Sequence, residues 1–154
     1  LLLQDTVPSW LYEVKAGGTS IWERWDALRP DGTVNLGKDP GSGLVNAVGG
    51  GMVSFNHYAN GAVGDWLYRR VAGLEAIEPG YKKFKVAPLV GGGLTSVSCF
   101  KKLSSGTIKI NWNFENGVFV LSINVPFNTS AVITLPDGKS LEVSSGKYVY
   151  SVEM

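Results

Sequence analysis

A carboxylate, a cation and two large aromatic rings lie within the segment TSIWERWDAL, residues 19–28. Glu23 and Arg24 stand between Trp22 and Trp25. Aromatic rings can cover the apolar C–H face of a sugar, while a carboxylate accepts hydrogen bonds from its hydroxyl groups and can transfer protons. These residue types therefore indicate acid–base chemistry on a carbohydrate, with Glu23 as the candidate reactive group.

A structural role for Glu23 explains part of the same pattern. Ser20 and Glu23 form an S-x-x-E capping box, in which two side chains satisfy free N–H groups at the start of a helix. That helix must end before Pro30 and has room for only about two turns, an element with little use for two tryptophans. The residues alone leave the sugar site and the helix cap as equal alternatives.

The single histidine of the chain, His57, lies in SFNHYANGAVGDWLYRRVAGL, residues 54–74. Ser54 is suited to cap the N-terminus of a helix in this segment, and Gly73 is suited to end it. At the third or fourth position of such a helix, a histidine is more often a packing or capping residue than a catalytic one. The helix is predicted by apolar residues at three- and four-residue steps, namely Val63, Trp66, Leu67, Val71 and Leu74.

Two glycines inside this predicted helix, Gly61 and Gly64, each cost about 1 kcal/mol relative to alanine. We expect another helix to approach closely at these positions and so to compensate for the cost. A further short helix is predicted around Val7–Val14, with Pro8 in its first turn. Residues 1–79 are therefore predicted to be helical, with glycine-rich loops between the helices.

Apolar and polar residues alternate with a period of two from about residue 84 onward, which is typical of β-strands. In TIKINWNF, residues 107–114, one face is apolar, and the Asn116-Gly117 pair then predicts a tight hairpin turn. About seven strands at close spacing predict an antiparallel β-sandwich over residues 80–154. The chain is therefore predicted to be α+β, with its helical segment at residues 1–79.

The charge balance excludes two classes of partner. Lys and Arg total 14 and Asp and Glu total 13, a net charge of +1, and no long run of either sign is present. We therefore predict binding neither to nucleic acid nor to an anionic membrane. No apolar run approaches the roughly 20 residues of a membrane span, so a soluble protein is expected, whether cytoplasmic, periplasmic or secreted.

No cofactor or metal site is predicted. Cys99 is the single cysteine, which rules out an intrachain disulfide. The glycine-rich segment 37–51 lacks both a preceding strand and the Gly-Lys-Ser/Thr element of a phosphate-binding loop. We therefore predict a surface loop for this segment.

Two motifs, W-E-R-W-D at residues 22–26 and S-F-N-H-Y-A at residues 54–59, together resemble the bacterial α-L-rhamnosidases of glycoside hydrolase family 78. The similarity keeps the same order of motifs from about Pro8 to Ser98 and includes PGYKKFKVAP and GGGLTSVS. The resemblance implies the terminal helices of an (α/α)6 barrel followed by a C-terminal antiparallel β-sandwich, and thus a C-terminal piece of a longer enzyme. The chain departs from the family pattern at segment 37–51, where a short loop is usual.

The resemblance also implies roles for the site residues. Glu23 would be the general base of an inverting hydrolysis, and His57 would contact the rhamnose. The chemistry of the neighbouring side chains, apart from the resemblance, suits two further roles: Trp22 and Trp25 would cover the apolar face of the sugar, and Arg24 or another nearby cation would favour the ionised form of Glu23. The general acid would lie upstream. The implied partners are a rhamnose-containing glycoside or polysaccharide and the remainder of the protein's own catalytic barrel.

A non-enzymatic alternative is a β-sandwich module that braces the barrel or binds carbohydrate. A carbohydrate-binding sandwich needs exposed aromatic residues on a strand face or at a loop tip. Trp112 lies on the apolar face of its strand and is predicted to be a core residue. Tyr148 and Tyr150 are weaker candidates than Trp112 for an aromatic residue that binds sugar. The residues favour the bracing role.

Overall fold

The computed structural model describes residues 2–37 and 51–154. The chain forms two compact units, residues 1–63 and residues 64–154. Apart from its two end residues, the segment 37–51 for which we predict a surface loop lies outside the described residues.

A short α-helix, α1, spans Trp10–Lys15 in the first unit. Ser9 caps it, since its Oγ accepts a hydrogen bond from the Tyr12 N–H at 3.1 Å. The chain leaves the helix through Gly17, whose φ of 84° lies in the left-handed region that glycine tolerates. The short helix predicted here is confirmed, but Pro8 precedes the N-cap instead of lying in the first turn.

Helical turns begin at residue 59, five residues later than predicted. The Ser54 hydroxyl does not cap a helix but closes a local turn, accepting from the Asn56 N–H at 3.2 Å. The prediction that places His57 inside a helix is therefore wrong, because His57 precedes the first helical turn. The turns are a 3₁₀ segment Ala59–Ala62, an α-helical segment α2 at Val63–Trp66, and a π-helical segment Leu67–Val71.

The close helix contact predicted at Gly61 and Gly64 is not made by the described residues. A Cβ atom built at either position meets no atom within 4 Å. Within residues 2–37 and 51–154, no helix combines the length and apolar character needed to cross a membrane.

Eight strands form two four-stranded sheets in the second unit. The first sheet has the order β1-β2-β6-β7 and the second the order β3-β4-β5-β8. A 3₁₀ turn at Pro79–Tyr81 connects β1 to β2. The strands are β1 Leu74–Ala76, β2 Lys83–Val86, β3 Ser96–Leu103, β4 Gly106–Glu115, β5 Val118–Val125, β6 Ser130–Thr134, β7 Ser140–Val143 and β8 Gly146–Glu153.

The predicted β-sandwich is confirmed, with two differences in detail. Strand β1 is additional, and it pairs antiparallel with β2 from Leu74 opposite Val86 to Ala76 opposite Phe84. Strands β2 and β6 are parallel, whereas all other pairs are antiparallel among the strands described. Strand β1 begins at Leu74, before the predicted boundary between the helical segment and the sandwich. The division of the chain between residues 79 and 80 stays a prediction.

The core of the sandwich consists of the inward side chains of both sheets. In β5 every second residue is buried, and in the middle of β4 Ile108, Ile110 and Trp112 are, as the period of two predicts. Trp112 is only 2% exposed, and its indole Nε1 donates to the Val71 carbonyl at 2.8 Å, so its prediction as core is confirmed. The largest side chains of this core are Trp112, Phe84, Phe119, Leu74, Ile108, Ile110, Leu121, Ile123 and Ile133.

Candidate active site

The segment around Glu23 is a series of turns, so the helix-cap alternative is wrong. The two side chains of the supposed capping box bond to another part of the chain. Ser20 Oγ donates to the Phe55 carbonyl at 2.7 Å, and the Glu23 carboxylate accepts from the Ser54 N–H. A β-bridge between Leu28 and Val34 closes the segment at its far end.

Glu23 and Ser54 are joined by two reciprocal hydrogen bonds. The Glu23 N–H donates to the Ser54 carbonyl at 2.9 Å, and the Ser54 N–H donates to Glu23 Oε2 at 2.7 Å. The second bond has an ionisable acceptor and is short, which is typical of a charge-assisted bond. Among the described residues no donor reaches the other oxygen, Oε1, which leaves it available to a reacting group.

The main chain of Trp22 and Glu23 is satisfied at all four of its polar groups. The Trp22 N–H donates to Glu13 Oε2 at 3.3 Å, and the Glu23 N–H donates to Ser54. Asn60 Nδ2 contacts both carbonyls, each at 3.4 Å. The backbone that carries the Glu23 side chain is therefore fixed from three sides.

His57 lies next to this segment. Its N–H donates to the Ile21 carbonyl at 2.8 Å. Its ring nitrogen Nδ1 accepts from the Ala59 N–H at 3.1 Å, and its ring stacks on Tyr58 at 5.1 Å between centroids. Because Nδ1 accepts, the neutral ring carries its proton on Nε2, which is then a donor. The structure thus brings the two predicted residues, Glu23 and His57, onto adjoining segments.

Trp22 does not fit its predicted role of covering a sugar. The residue is 3% exposed, and its ring makes edge contacts with Phe55 at 5.1 Å and with Tyr12 at 6.4 Å between centroids. A side chain that is buried among other rings cannot meet a substrate. The correction is that Trp22 is a packing residue beneath the main chain of Glu23.

Trp25 is half-buried and keeps the predicted role open. Its ring contacts Trp10 edge-on, with centroids 4.9 Å apart. Trp10 is itself held, since its Nε1 donates to the Asn60 carbonyl at 3.3 Å. The buried Nε1 of Trp25 has no hydrogen-bond partner in residues 2–37 and 51–154.

Among the described residues, the Arg24 side chain bonds to Asp26 and Asn35. Its Nε lies 3.4 Å from Asp26 Oδ1, and its Nη2 donates to the Asn35 carbonyl. Asn35 Nδ2 in turn donates to Asp26 Oδ2 at 2.8 Å. The cation therefore braces its own loop, and the predicted support of the Glu23 charge is not seen.

Three residues of this site are missing from the sequence prediction. Ser54 is inside the S-F-N-H-Y-A motif but is interpreted there as a helix cap, and Asn60 directly follows that motif. Glu13 is 3% exposed, and burial raises its pKa although the bond from Trp22 acts in the opposite direction. An acidic residue early in a short helix is common, so the sequence contained no separate signal for Glu13. Within the described part of the chain, no group of three His, Cys, Asp or Glu side chains could hold a metal ion.

Comparisons with known proteins identify the family of the chain. Residues 1–71 match the model of the bacterial alpha-L-rhamnosidase 6 hairpin glycosidase domain, and residues 73–149 match that of the bacterial alpha-L-rhamnosidase C-terminal domain. An alpha-L-rhamnosidase of Streptomyces avermitilis is 38% identical over 136 residues, 88% of this chain and 12% of that protein. One of Formosa agariphila is 35% identical over 150 residues, 96% of this chain and 15% of that protein. The chain thus spans a small part of these relatives.

Solved structures show the same likeness. The chain is similar to a native α-L-rhamnosidase from Aspergillus terreus, with a TM-score of 0.81 and 38% identity, over 98% of this chain and 16% of that one. It is also similar to the Streptomyces avermitilis alpha-L-rhamnosidase complexed with L-rhamnose, with a TM-score of 0.79 and 34% identity, over 99% of this chain and 16% of that one. Because the two family models together match nearly the whole chain, the chain belongs to the bacterial α-L-rhamnosidase family.

Proposed function

We propose that the full-length protein hydrolyses terminal α-L-rhamnosides with inversion and that Glu23 is the general base. The observation that carries this proposal is the pair of hydrogen bonds between Glu23 and Ser54, at 2.9 Å and 2.7 Å. These bonds hold one carboxylate oxygen and orient the other. A base must be held in this way, because a misplacement of about 1 Å can cost about 10²-fold in rate.

The proposed chemistry needs two carboxyl groups on opposite sides of the glycosidic bond. In inverting enzymes they lie roughly 6.5–9.5 Å apart, which leaves room for a water molecule. Glu23 Oε1 takes a proton from that water molecule while the oxygen of the water attacks the anomeric carbon. A carboxylic acid protonates the departing glycosidic oxygen. We assign this acid to the part of the catalytic domain outside this chain, since the chain spans only 12% and 15% of its two relatives described above.

Two side chains are proposed to contact the sugar. The Nε2–H of His57 donates to a hydroxyl group, while Nδ1 is already occupied by Ala59. The half-buried ring of Trp25 supports the apolar face of the rhamnose, a face that the C6 methyl group enlarges. Trp22 and Arg24 support the site without touching the substrate.

The variant Glu23→Gln of the full-length enzyme tests the proposal. Glutamine keeps an oxygen for the Ser54 N–H but cannot take a proton, so kcat is expected to fall by about 10²–10⁴-fold with little change in KM. Glu78→Gln, at an exposed position, is the matched control. NMR of the first product should show the β-anomer. Near-normal turnover by Glu23→Gln, or an α-anomer as first product, would contradict the proposal.

A groove in the second unit favours a second candidate function, carbohydrate binding by the sandwich. The groove has a volume of about 360 Å³ and lies where the β3–β4, β5–β6 and β7–β8 connections meet. Phe127 on its rim is 79% exposed, an aromatic residue at a loop tip of the kind that binds sugar. Polar groups for hydroxyl contacts are supplied by Ser105, Thr107, Asn124, Ser145 and Lys147.

Phe127→Ala distinguishes this second function from simple bracing. If the groove holds a polysaccharide chain, the variant should lose kcat/KM on a rhamnose-containing polysaccharide but keep it on a small aryl rhamnoside. Phe100→Ala is the matched control, because Phe100 is 59% exposed on β3 and does not line the groove. Equal activity of both variants on the polymer would leave bracing as the role of the sandwich.

A further inference from the structure

Glu13 is a buried acid that the proposed mechanism does not use. It lies on α1 with 3% of its surface exposed. Its Oε2 accepts from the Trp22 N–H at 3.3 Å, and its buried Oε1 has no hydrogen-bond partner among residues 2–37 and 51–154. A buried polar atom without a hydrogen-bond partner costs more free energy than an apolar side chain of similar size, so packing alone does not favour an acid at this position.

The turn after α1 packs closely against both Glu13 and the ring of Trp22. The Gly18 N–H donates to the Glu13 carbonyl at 2.8 Å. A Cβ atom at Gly18 would lie 2.9 Å from that carbonyl oxygen and 3.0 Å from Trp22 Nε1, so no larger residue fits between them. Glu13, Gly18 and Trp22 therefore form one tightly packed contact, with the Glu13 carboxyl group on the main chain of Trp22.

This contact acts on Glu23 because Glu23 is the next residue. Ser54 and Asn60 hold the Trp22–Glu23 peptides from one segment, and Glu13 holds the Trp22 N–H from α1. Without an acceptor at position 13, the Trp22 N–H would be buried and unpaired, and the backbone would shift to satisfy it. Such a shift would move the Glu23 carboxylate directly.

We propose that Glu13 is a positioning residue, which fixes Glu23 through the main chain of Trp22. The inference rests on the proposed role of Glu23 as the base. Burial raises the pKa of Glu13, which favours its neutral form. A neutral acid and an amide accept the same hydrogen bond, so glutamine should replace Glu13 and leucine should not.

The test compares Glu13→Leu and Glu13→Gln in the full-length enzyme. Activity is measured on an aryl α-L-rhamnoside, and kcat is referred to the fraction of sites that bind L-rhamnose in a calorimetric titration. Glu13→Leu should lower kcat per binding site by about 10- to 100-fold with KM within about threefold. Glu13→Gln should stay within about threefold of the wild type. A merely structural role would lower the binding fraction and leave kcat per binding site unchanged.

A second variant covers the case in which Glu13→Leu does not fold. Glu13→Met keeps the length of the side chain but offers no oxygen to accept from the Trp22 N–H, and it should lower kcat per binding site in the same way. The proposal is overturned if the folded variants keep the wild-type kcat per binding site, or if Glu13→Gln falls as far as Glu13→Leu. Failure of the proposed function looks different, since Glu23→Gln would then keep near-normal turnover or the first product would be the α-anomer.

Discussion

At the scale of single residues, the main chain of Ser54 and the side chain of Asn60 hold Glu23. Its carboxylate and its N–H both bond to Ser54, and its carbonyl contacts Asn60. The neighbouring charge of Arg24 is used instead to hold Asp26 and Asn35. A main-chain donor moves less than a long charged side chain does. The Ser54 N–H therefore fixes the position of the Glu23 carboxylate better than the charge of Arg24 would.

His57 offers a test that separates its two ring nitrogens. In His57→Asn the side-chain oxygen can still accept from the Ala59 N–H, but the donor at Nε2 is lost. Leaving a substrate hydroxyl unpaired costs about 1–3 kcal/mol, so kcat/KM should fall by about 10- to 100-fold while the thermal midpoint hardly changes. His57→Ala should lose the same activity and some stability. Wild-type kcat/KM in both folded variants would exclude contact with the substrate.

Glu13 should also make stability depend on pH. Burial raises its pKa above the ordinary value of 4.5, so the folded state binds the proton more tightly than the unfolded state does. The stabilisation by the protonated form is full below 4.5 and is lost as the pH rises through the raised folded-state pKa. In the full-length enzyme, the thermal midpoint of the wild type should therefore fall relative to that of Glu13→Gln as the pH is raised from 4 to 8. The thermal midpoint of the exposed variant Glu78→Gln should change with pH as that of the wild type does. A difference that narrows with rising pH would contradict this assignment.

At the scale of elements, the features that depend on neighbouring residues were predicted from the sequence. The pairing of strands far apart in sequence was not. The strands around Trp112 followed from the period of two, and the Asn116-Gly117 turn has the positive φ values, 51° and 78°, that such a hairpin needs. The parallel pairing of β2 with β6 depends on residues far apart in sequence and left no local signal. The helix start predicted at Ser54 was wrong because the hydroxyl of that residue closes a local turn, and helical turns begin only at residue 59.

The same limit applies to the site. The resemblance of their two motifs made Glu23 and His57 the candidates, because their residue types alone left a helix cap and a packing residue as alternatives. Trp22 was assigned to the substrate because burial is not visible in a motif of alternating aromatic and charged residues. Glu13 and Asn60 act through the main chain of other residues, and such roles depend on how the chain returns on itself.

Gly73 shows how one backbone position controls an element. Its φ is 80°, and a Cβ atom there would overlap the backbone of Ala87 and Pro88, with the Ala87 nitrogen at 2.7 Å. Gly73→Ala should therefore lose about 3 kcal/mol or more of unfolding free energy, since backbone strain and overlap add. Gly138→Ala is the matched control, because Gly138 has a φ of 87° and nothing within 4 Å of the added atom. It should lose only about 1–2 kcal/mol.

Urea unfolding of the 154-residue chain, followed by the far-UV circular dichroism of its β-sheets, measures both variants. Equal losses in Gly73→Ala and Gly138→Ala would mean that the strand after Gly73 moves aside and that the close approach is not required.

At the scale of the whole molecule, the two units differ in how much apolar surface they bury. In the described part of the first unit, the buried apolar residues are Trp22 and Ala27, whereas the second unit has a continuous core from both of its sheets. Burying one large side chain contributes about 1.5–3 kcal/mol, so the first unit has few such contributions of its own. Its exposed large apolar residues are Leu3, Leu11, Val14, Val34, Leu36, Met52, Phe55 and Tyr58. Covering these residues is the role that we assign to the remainder of the catalytic barrel.

The last prediction concerns the 154-residue chain by itself. Amide hydrogens in β4 and β5 should exchange slowly, because the core of the sandwich is complete, and those of α1 and of Trp22 and Glu23 should exchange quickly. The chain should not hydrolyse an aryl α-L-rhamnoside, since Glu23 would lack its partner acid. In the full-length protein the same amides of α1 should become protected, which makes that protein the control. Equal protection of α1 and β4 in the isolated chain, or turnover by that chain, would show that residues 1–63 form a complete site without the rest of the barrel.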